Sequence, residues 1–117
     1  MSAIRTATRL YVLQRLTAAI MGPLIIVHIA LIFYATHDGL TATEILERTR
    51  GSTIWFGFYQ LFVISAAVHG AIGLRSVTND WITDRPAALN AIMWGTGLLL
   101  LILGTRAVIA VIAPGAA

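Results

Sequence analysis

Two imidazoles and two guanidinium groups stand inside long apolar runs, and these are the side chains with chemistry to offer. His69 opens the stretch His69-Gly70-Ala71-Ile72-Gly73-Leu74-Arg75-Ser76-Val77-Thr78-Asn79-Asp80-Trp81. On a helix His69 and Gly73, four apart, share a face. A bare glycine one turn from an imidazole lets a planar macrocycle lie against the helix, with the ring as a ligand to its metal. Arg75 and Asp80 follow toward the end of the run, where an arginine meets a propionate or an anionic headgroup. The alternative for His69 is a neutral ring hydrogen-bonded to a neighbouring helix. The glycine and the flanking charges favour the ligand.

Arg15 lies one turn inside the first apolar run, in Leu13-Gln14-Arg15-Leu16-Thr17. One reading has it snorkel to the membrane surface. The other sets it beside Arg75, Asp80 and Trp81 on one membrane face. A basic group, a carboxylate and an aromatic N–H around a lipid-accessible cleft suit a quinone, which offers two carbonyl oxygens and takes up two protons on reduction. His28 lies about 27 Å from Leu10 along its helix, and His69 about 12 Å from the corresponding end of the next, at ~1.5 Å per residue. At such different depths the two cannot both ligate one haem within a single copy. His28 reads as a packing or interhelical hydrogen-bonding histidine, with ligation of a second haem as the other reading. His37 falls in a loop and reads as solvated, and Arg106 as a snorkeller at the outer interface.

These groups must be held by three helices. The chain has 117 residues, 58% hydrophobic and 11% charged, against about 25% charged in an ordinary globular domain. Too few charges remain to coat a water-soluble surface. A bilayer core of about 30 Å needs about 20 apolar helical residues, and three stretches qualify, at about 10–35, 54–77 and 87–112. The expected fold is a single all-α membrane domain over 1–117 with three transmembrane helices. Thr43–Arg50 reads as a short amphipathic interfacial helix, and Asp84-Arg85-Pro86 as the start of the third span, with proline in the first turn. Gly22-Pro23 predicts a kink in the first helix. Gly95, Gly97 and Gly104 read as sites of close helix packing.

The basic residues are eight arginines with no lysine, against five acids. They are scattered at the ends of the apolar runs, unlike the clustered basic face of a nucleic-acid binder, so nucleic acid is excluded. Arg5, Arg9, Arg15, Arg75 and Arg85 fall on one side, and Arg48, Arg50 and Arg106 on the other. That bias sets the N-terminus inside. The chain lacks cysteine, which removes disulfides, thiolate ligands and thiol nucleophiles. The apolar run from Leu16 to Ala35 is too long for the core of a cleavable signal.

The segment His69-x-x-x-Gly73-Leu-Arg75-x-x-x-x-Asp80-Trp81 resembles the second-helix signature of the haem b membrane anchors of succinate dehydrogenase and fumarate reductase. There a histidine is followed by glycine at +4, often arginine at +6, aspartate at +11 and an adjacent aromatic residue. Gln14-Arg15-Leu16-Thr17 resembles the start of helix one in the same subunits, and the three-helix plan agrees over nearly the whole chain. The resemblance implies the anchor half of a heteromeric helical bundle in the inner (cytoplasmic) membrane, docking a flavoprotein and an iron–sulfur subunit beside a second membrane anchor subunit. It implies His69 as an axial ligand of haem b, with Gly73 beside it. Arg75 would face a propionate or the iron–sulfur subunit, and Arg15, Asp80 and Trp81 would stand near the quinone. Trp81 stands where one anchor type has a quinone-bonding tyrosine, Tyr11 takes the approximate place of a pocket serine of the other type, and Gln14 replaces a common histidine. These mixed features leave the anchor type open. His28 resembles the distal-haem histidine of anchors that carry two haems.

Two rival readings differ in class. A cofactor-free membrane protein, a small transporter or an assembly factor, shares the three spans. A proton-coupled transporter calls for an acidic residue in mid-span, and the spans contain neither aspartate nor glutamate. A b-type cytochrome subunit of an unrelated oxidoreductase would share the haem without the dicarboxylate partner.

Overall fold

In a computed structural model, residues 2–82 and 84–113 are described. They form α1 (Ser2–His37), α2 (Ala42–Thr49), α3 (Thr53–Asn79) and α4 (Pro86–Ile112), with no strand among them. Three of these helices are long and apolar enough to cross a membrane. At ~1.5 Å per residue α3 and α4 reach about 40 Å, more than the hydrocarbon thickness. α1 starts some eight residues earlier than its apolar stretch. Nothing in Ala3–Arg9 stops a helix, since alanine and arginine are good helix formers and no glycine or proline intervenes. It also continues through Pro23 without a break in helical assignment.

The turns on either side of α2 are closed by identifiable devices. Gly39, at φ 66°, follows α1. Its N–H donates to the Thr36 carbonyl and that of Leu40 to the Ala35 carbonyl. That pairing is the Schellman closure, and the left-handed position favours glycine. α2 begins one residue before the expected stretch and is capped by a reciprocal box. The Glu44 N–H donates to Thr41 Oγ1 (3.2 Å) and the Thr41 N–H to Glu44 Oε2 (2.7 Å). Ser52 caps α3 by accepting from the Trp55 N–H. α4 starts at Pro86 as the sequence predicts, although its cap residue Arg85 makes no side-chain capping bond.

α3 is the central helix, packed on α4 along one side and on α1 along another, while α1 and α4 barely meet. The contacts are made by small side chains. Ser65, Ala67 and Ala71 of α3 are buried, and so is Thr17 of α1. A Cβ on Gly97 would lie 3.2 Å from Ala71 Cβ, and one on Gly104 would run into Val63, so both glycines serve the α3–α4 contact. Gly95 has nothing within 4 Å of its would-be Cβ, so its packing role is not found within this chain. Most of the large apolar residues point outward, the unbroken run Leu98–Leu103 among them, while Ile72, Leu89 and Val108 are buried. A helix set with small residues inside and leucines outside is solvated by lipid or by other helices.

At the end of the bundle away from the N-terminus, α2 and the following turn close α4. Thr49 Oγ1 donates to the Val111 carbonyl and the Gly51 N–H to the Ile112 carbonyl, both at 2.7 Å. These are two of the four carbonyls a helix leaves unpaired at its C-terminus. Gly51, at φ 71°, holds the backbone in the left-handed region that presents its N–H to α4.

Candidate functional site

Tyr11, Gln14 and Thr17 are spaced by three along α1 and follow one face of it. That face lies against the half of α3 containing His69 and Gly73. Thr17 is 6% exposed, and its Oγ1 lies 2.7 Å from the Leu13 carbonyl, 3.1 Å from the Gln14 carbonyl and 3.2 Å from His69 Nδ1. An oxygen–oxygen contact of 2.7 Å requires a proton between the two atoms, so the hydroxyl hydrogen belongs to the Leu13 carbonyl. The contact with the imidazole then runs the other way, and Nδ1–H donates to Oγ1. This leaves Nε2 as the nitrogen with a lone pair. It makes no hydrogen bond among the described residues. The buried side-chain atoms without a partner are Gln14 Oε1 and Gln60 Oε1, so Nε2 opens onto the surface of the helix pair.

One turn nearer the N-terminal end, Gln14 Nε2 lies 3.4 Å from where a Gly73 Cβ would stand. The bare glycine face expected to receive a macrocycle is thus shared with α1. Beside it opens a cleft of about 340 Å³ whose polar lining is Tyr11, Gln14, Arg75, Ser76 and Asn79. Arg75 Nε donates to Asn90 Oδ1 of α4 at 3.2 Å, which fixes the guanidinium between two helices and leaves its terminal N–H groups for other partners. Gln14 Oε1 is buried here with nothing donating to it.

Of the residues expected at a quinone site, Tyr11 lines the cleft. Arg15, one position off the stripe, is exposed, with its guanidinium over the Tyr11 ring at 5.7 Å. Asp80 caps the end of α3 and Trp81 follows at 86% exposure, both beyond the cleft wall at the same end of the bundle. Ser76 and Asn79 line the cleft without having been singled out from sequence, and Gln14 and Thr17 entered only through the helix-one resemblance, with no role given to them. The spacing Tyr11–Gln14–Thr17 was the signal available for two of them.

His28 sits elsewhere. Its ring meets Tyr59 and Phe62 edge to face, with centroids 5.9 and 5.5 Å apart, at a mostly apolar cavity of about 350 Å³ reaching to Thr49 and Gly104. Thr17, the partner of His69, is eleven residues earlier on α1, about 16 Å at the helical rise. The two histidines occupy different depths, as their positions predict. His37 ends α1, stacked on Phe33. Among the described residues no three histidine, cysteine, aspartate or glutamate side chains gather as a metal-holding group.

Residues 1–105 match a family model described as succinate dehydrogenase/fumarate reductase transmembrane subunit. No curated protein and no solved structure matches the chain.

Proposed function

Since the chain belongs to the family of succinate dehydrogenase/fumarate reductase transmembrane subunits, we propose that it anchors such a complex, binds haem b through His69 and forms part of the quinone site. The observation that carries the haem assignment is the His69 ring, with Nδ1 engaged by Thr17 and Nε2 without a protein partner. A ring held this way inside a span has the donor set of an axial ligand. A metal-bound histidine characteristically hydrogen-bonds through its other nitrogen. One histidine per chain suffices for haem when the second axial ligand comes from a companion anchor subunit.

The quinone reading is supported by the cleft beside Tyr11, Gln14 and Arg75. Tyr11 and the free N–H groups of Arg75 can donate to a carbonyl oxygen, and the unpaired Gln14 Oε1 can accept from the hydroxyl formed on reduction. Arg15, Asp80 and Trp81, at the same end of the bundle, add charge and an indole N–H that a quinone entering there would meet. A haem held by His69 would supply a one-electron store, and Thr17, which holds the His69 ring, is three residues from Gln14 of the cleft (~5 Å of helical rise). The dicarboxylate chemistry belongs to a flavoprotein and an iron–sulfur subunit docked at the same end. The arginine distribution supports an inner-face location for that end, in the inner (cytoplasmic) membrane of this reading.

The decisive measurement is a reduced-minus-oxidised spectrum of the purified complex with its co-purifying subunits. The expected result is a b-type haem with a flavoprotein partner, and loss of that haem in His69→Ala. A particle without haem, or a His69→Ala variant with full haem content, overturns the assignment.

A further inference from the structure

We propose that Thr17 is the positioning residue for the His69 imidazole, fixing the ring in the Nδ1–H form so that Nε2 is the ligating atom. The proposal rests on the reading of His69 as a haem ligand and adds to it the group that sets the strength of that ligand. Three observations carry it. The Thr17 hydroxyl proton is committed to its own helix by the 2.7 Å contact with the Leu13 carbonyl, so the oxygen can only accept from the imidazole. Thr17 is 6% exposed, so water does not compete for that oxygen. The bond also crosses between helices, from α1 to α3, so the packing that buries Thr17 also sets the rotation of the ring.

The consequence is electronic as well as geometric. An Nδ1–H that donates to an oxygen leaves more electron density on the ring and makes Nε2 a better donor to ferric iron. With the acceptor removed, Nδ1–H faces an apolar helix surface, ligand strength falls, and the ring can also turn or change tautomer. The ferric form loses more than the ferrous, so the midpoint potential rises. Thr17→Val keeps the shape and removes the hydroxyl. Thr17→Ser keeps the hydroxyl and removes a methyl.

The test uses the assembled complex with Thr17→Val, Thr17→Ser and His69→Ala. It reads haem b per flavin, the haem midpoint potential, and the low-temperature EPR spectrum of the ferric haem. Thr17→Val is expected to assemble with an upward-shifted potential, an altered ferric signal and haem held on the order of ten-fold more weakly against an apoprotein scavenger. Thr17→Ser is expected to match the wild type in all three. Should valine prevent assembly, Thr17→Ala serves as the second hydroxyl-free variant. His69→Ala with undiminished haem overturns the ligand reading and this proposal with it. Loss of haem in His69→Ala, with wild-type potential and retention in Thr17→Val, overturns this proposal alone. A serine variant shifted as far as the valine variant does the same.

Discussion

Of the glycines, Gly104 leaves the least room for a side chain, and it yields a prediction whose size can be worked out. A Cβ at Gly104 would lie 2.5 Å from Val63 Cγ1, 2.9 Å from Cγ2 and 3.3 Å from Cβ. Carbon atoms in comfortable contact are about 3.5–4.0 Å apart, so Gly104→Ala asks for roughly 1 Å of separation. Rotating Val63 does not supply it. Two of its three staggered positions face the glycine, and a valine always fills two of the three with methyl groups. At least one methyl therefore stays in the way, and the helices must part. Overpacking of this kind costs about 1–3 kcal/mol. Val63→Ala alone loses two methyls and their van der Waals contacts, about 1 kcal/mol at ~0.1–0.2 kcal/mol per atom pair, with no transfer from water to add in lipid. The double variant Val63→Ala/Gly104→Ala should be far less destabilised than the two single losses added together, because the Cβ–Cβ contact that remains is only slightly tight.

The assay is a dodecyl sulfate titration of the detergent-solubilised protein, followed by tryptophan fluorescence and helicity. Gly95→Ala is the control, with nothing within 4 Å to meet. It should be neutral, or more stable by up to about 1 kcal/mol through helix propensity. Haem content should stay unchanged in both glycine variants, since Gly104 and Val63 lie by the His28 cavity. Gly104→Ala as stable as Gly95→Ala, or a double variant showing simple additivity, would refute the packing argument.

Thr49→Val removes the 2.7 Å bond from α2 to the Val111 carbonyl and should cost about 1 kcal/mol in the same titration; an unchanged midpoint would contradict that role. Glu44 is held below the usual carboxylate range by the Thr41 N–H and then the Thr41 hydroxyl, against an opposing effect of desolvation and with a lesser contribution from the Arg48 charge. Because the folded carboxyl is the stronger acid, its stabilisation of α2 is complete above the unfolded value near 4.5 and lost as pH falls through the lower folded one. Amide exchange within α2 should therefore quicken under acid, and a Glu44→Gln variant with the same acid response would sink the attribution. Arg15→Leu takes away a charge and its stacking on Tyr11. Quinone reduction should fall roughly two- to five-fold, as expected for losing a cation–π contact of ~0.5–1 kcal/mol on the cleft residue Tyr11, with dye-linked flavin activity preserved; equal loss of both activities would place Arg15 outside the quinone site.

The spans were legible because length and apolarity suffice to define them, and α2 because a short amphipathic stretch carries Glu44 in its first turn, although reading it from Thr43 missed the cap residue Thr41. Rotation about each helix axis was harder to read. α4 is apolar on every side, so no periodicity marks its buried face, and Gly95 was grouped with Gly97 and Gly104. The spacing held part of the answer. Residues 97 and 104 are two turns apart and share a face, whereas 95 and 97 point to opposite sides. Arg15 drew attention as a charge in lipid, yet the cleft belongs to its neighbour Gln14, 100° around the helix. Thr17 carries no signal of its own. A threonine within a span is unremarkable until the register of α1 against α3 sets its oxygen 3.2 Å from an imidazole nitrogen.

That register also explains why one chain of this size leaves its polar groups half satisfied. Gln60 and His69 are nine residues apart, about 2.5 turns, and so face opposite sides of the central helix. Gln60 Nε2 donates to Thr105 of α4 while its Oε1 goes unpaired, and His69 donates to Thr17 of α1 while its Nε2 stays open. In each case one bond within the chain fixes the side chain, and the remaining valence is left over. Unpaired polar atoms in a hydrocarbon environment cost several kcal/mol. A bundle in which α1 and α4 flank α3 without closing on each other cannot satisfy them alone. Further helices or bound groups must complete it, which is the physical content of being one subunit of a membrane anchor.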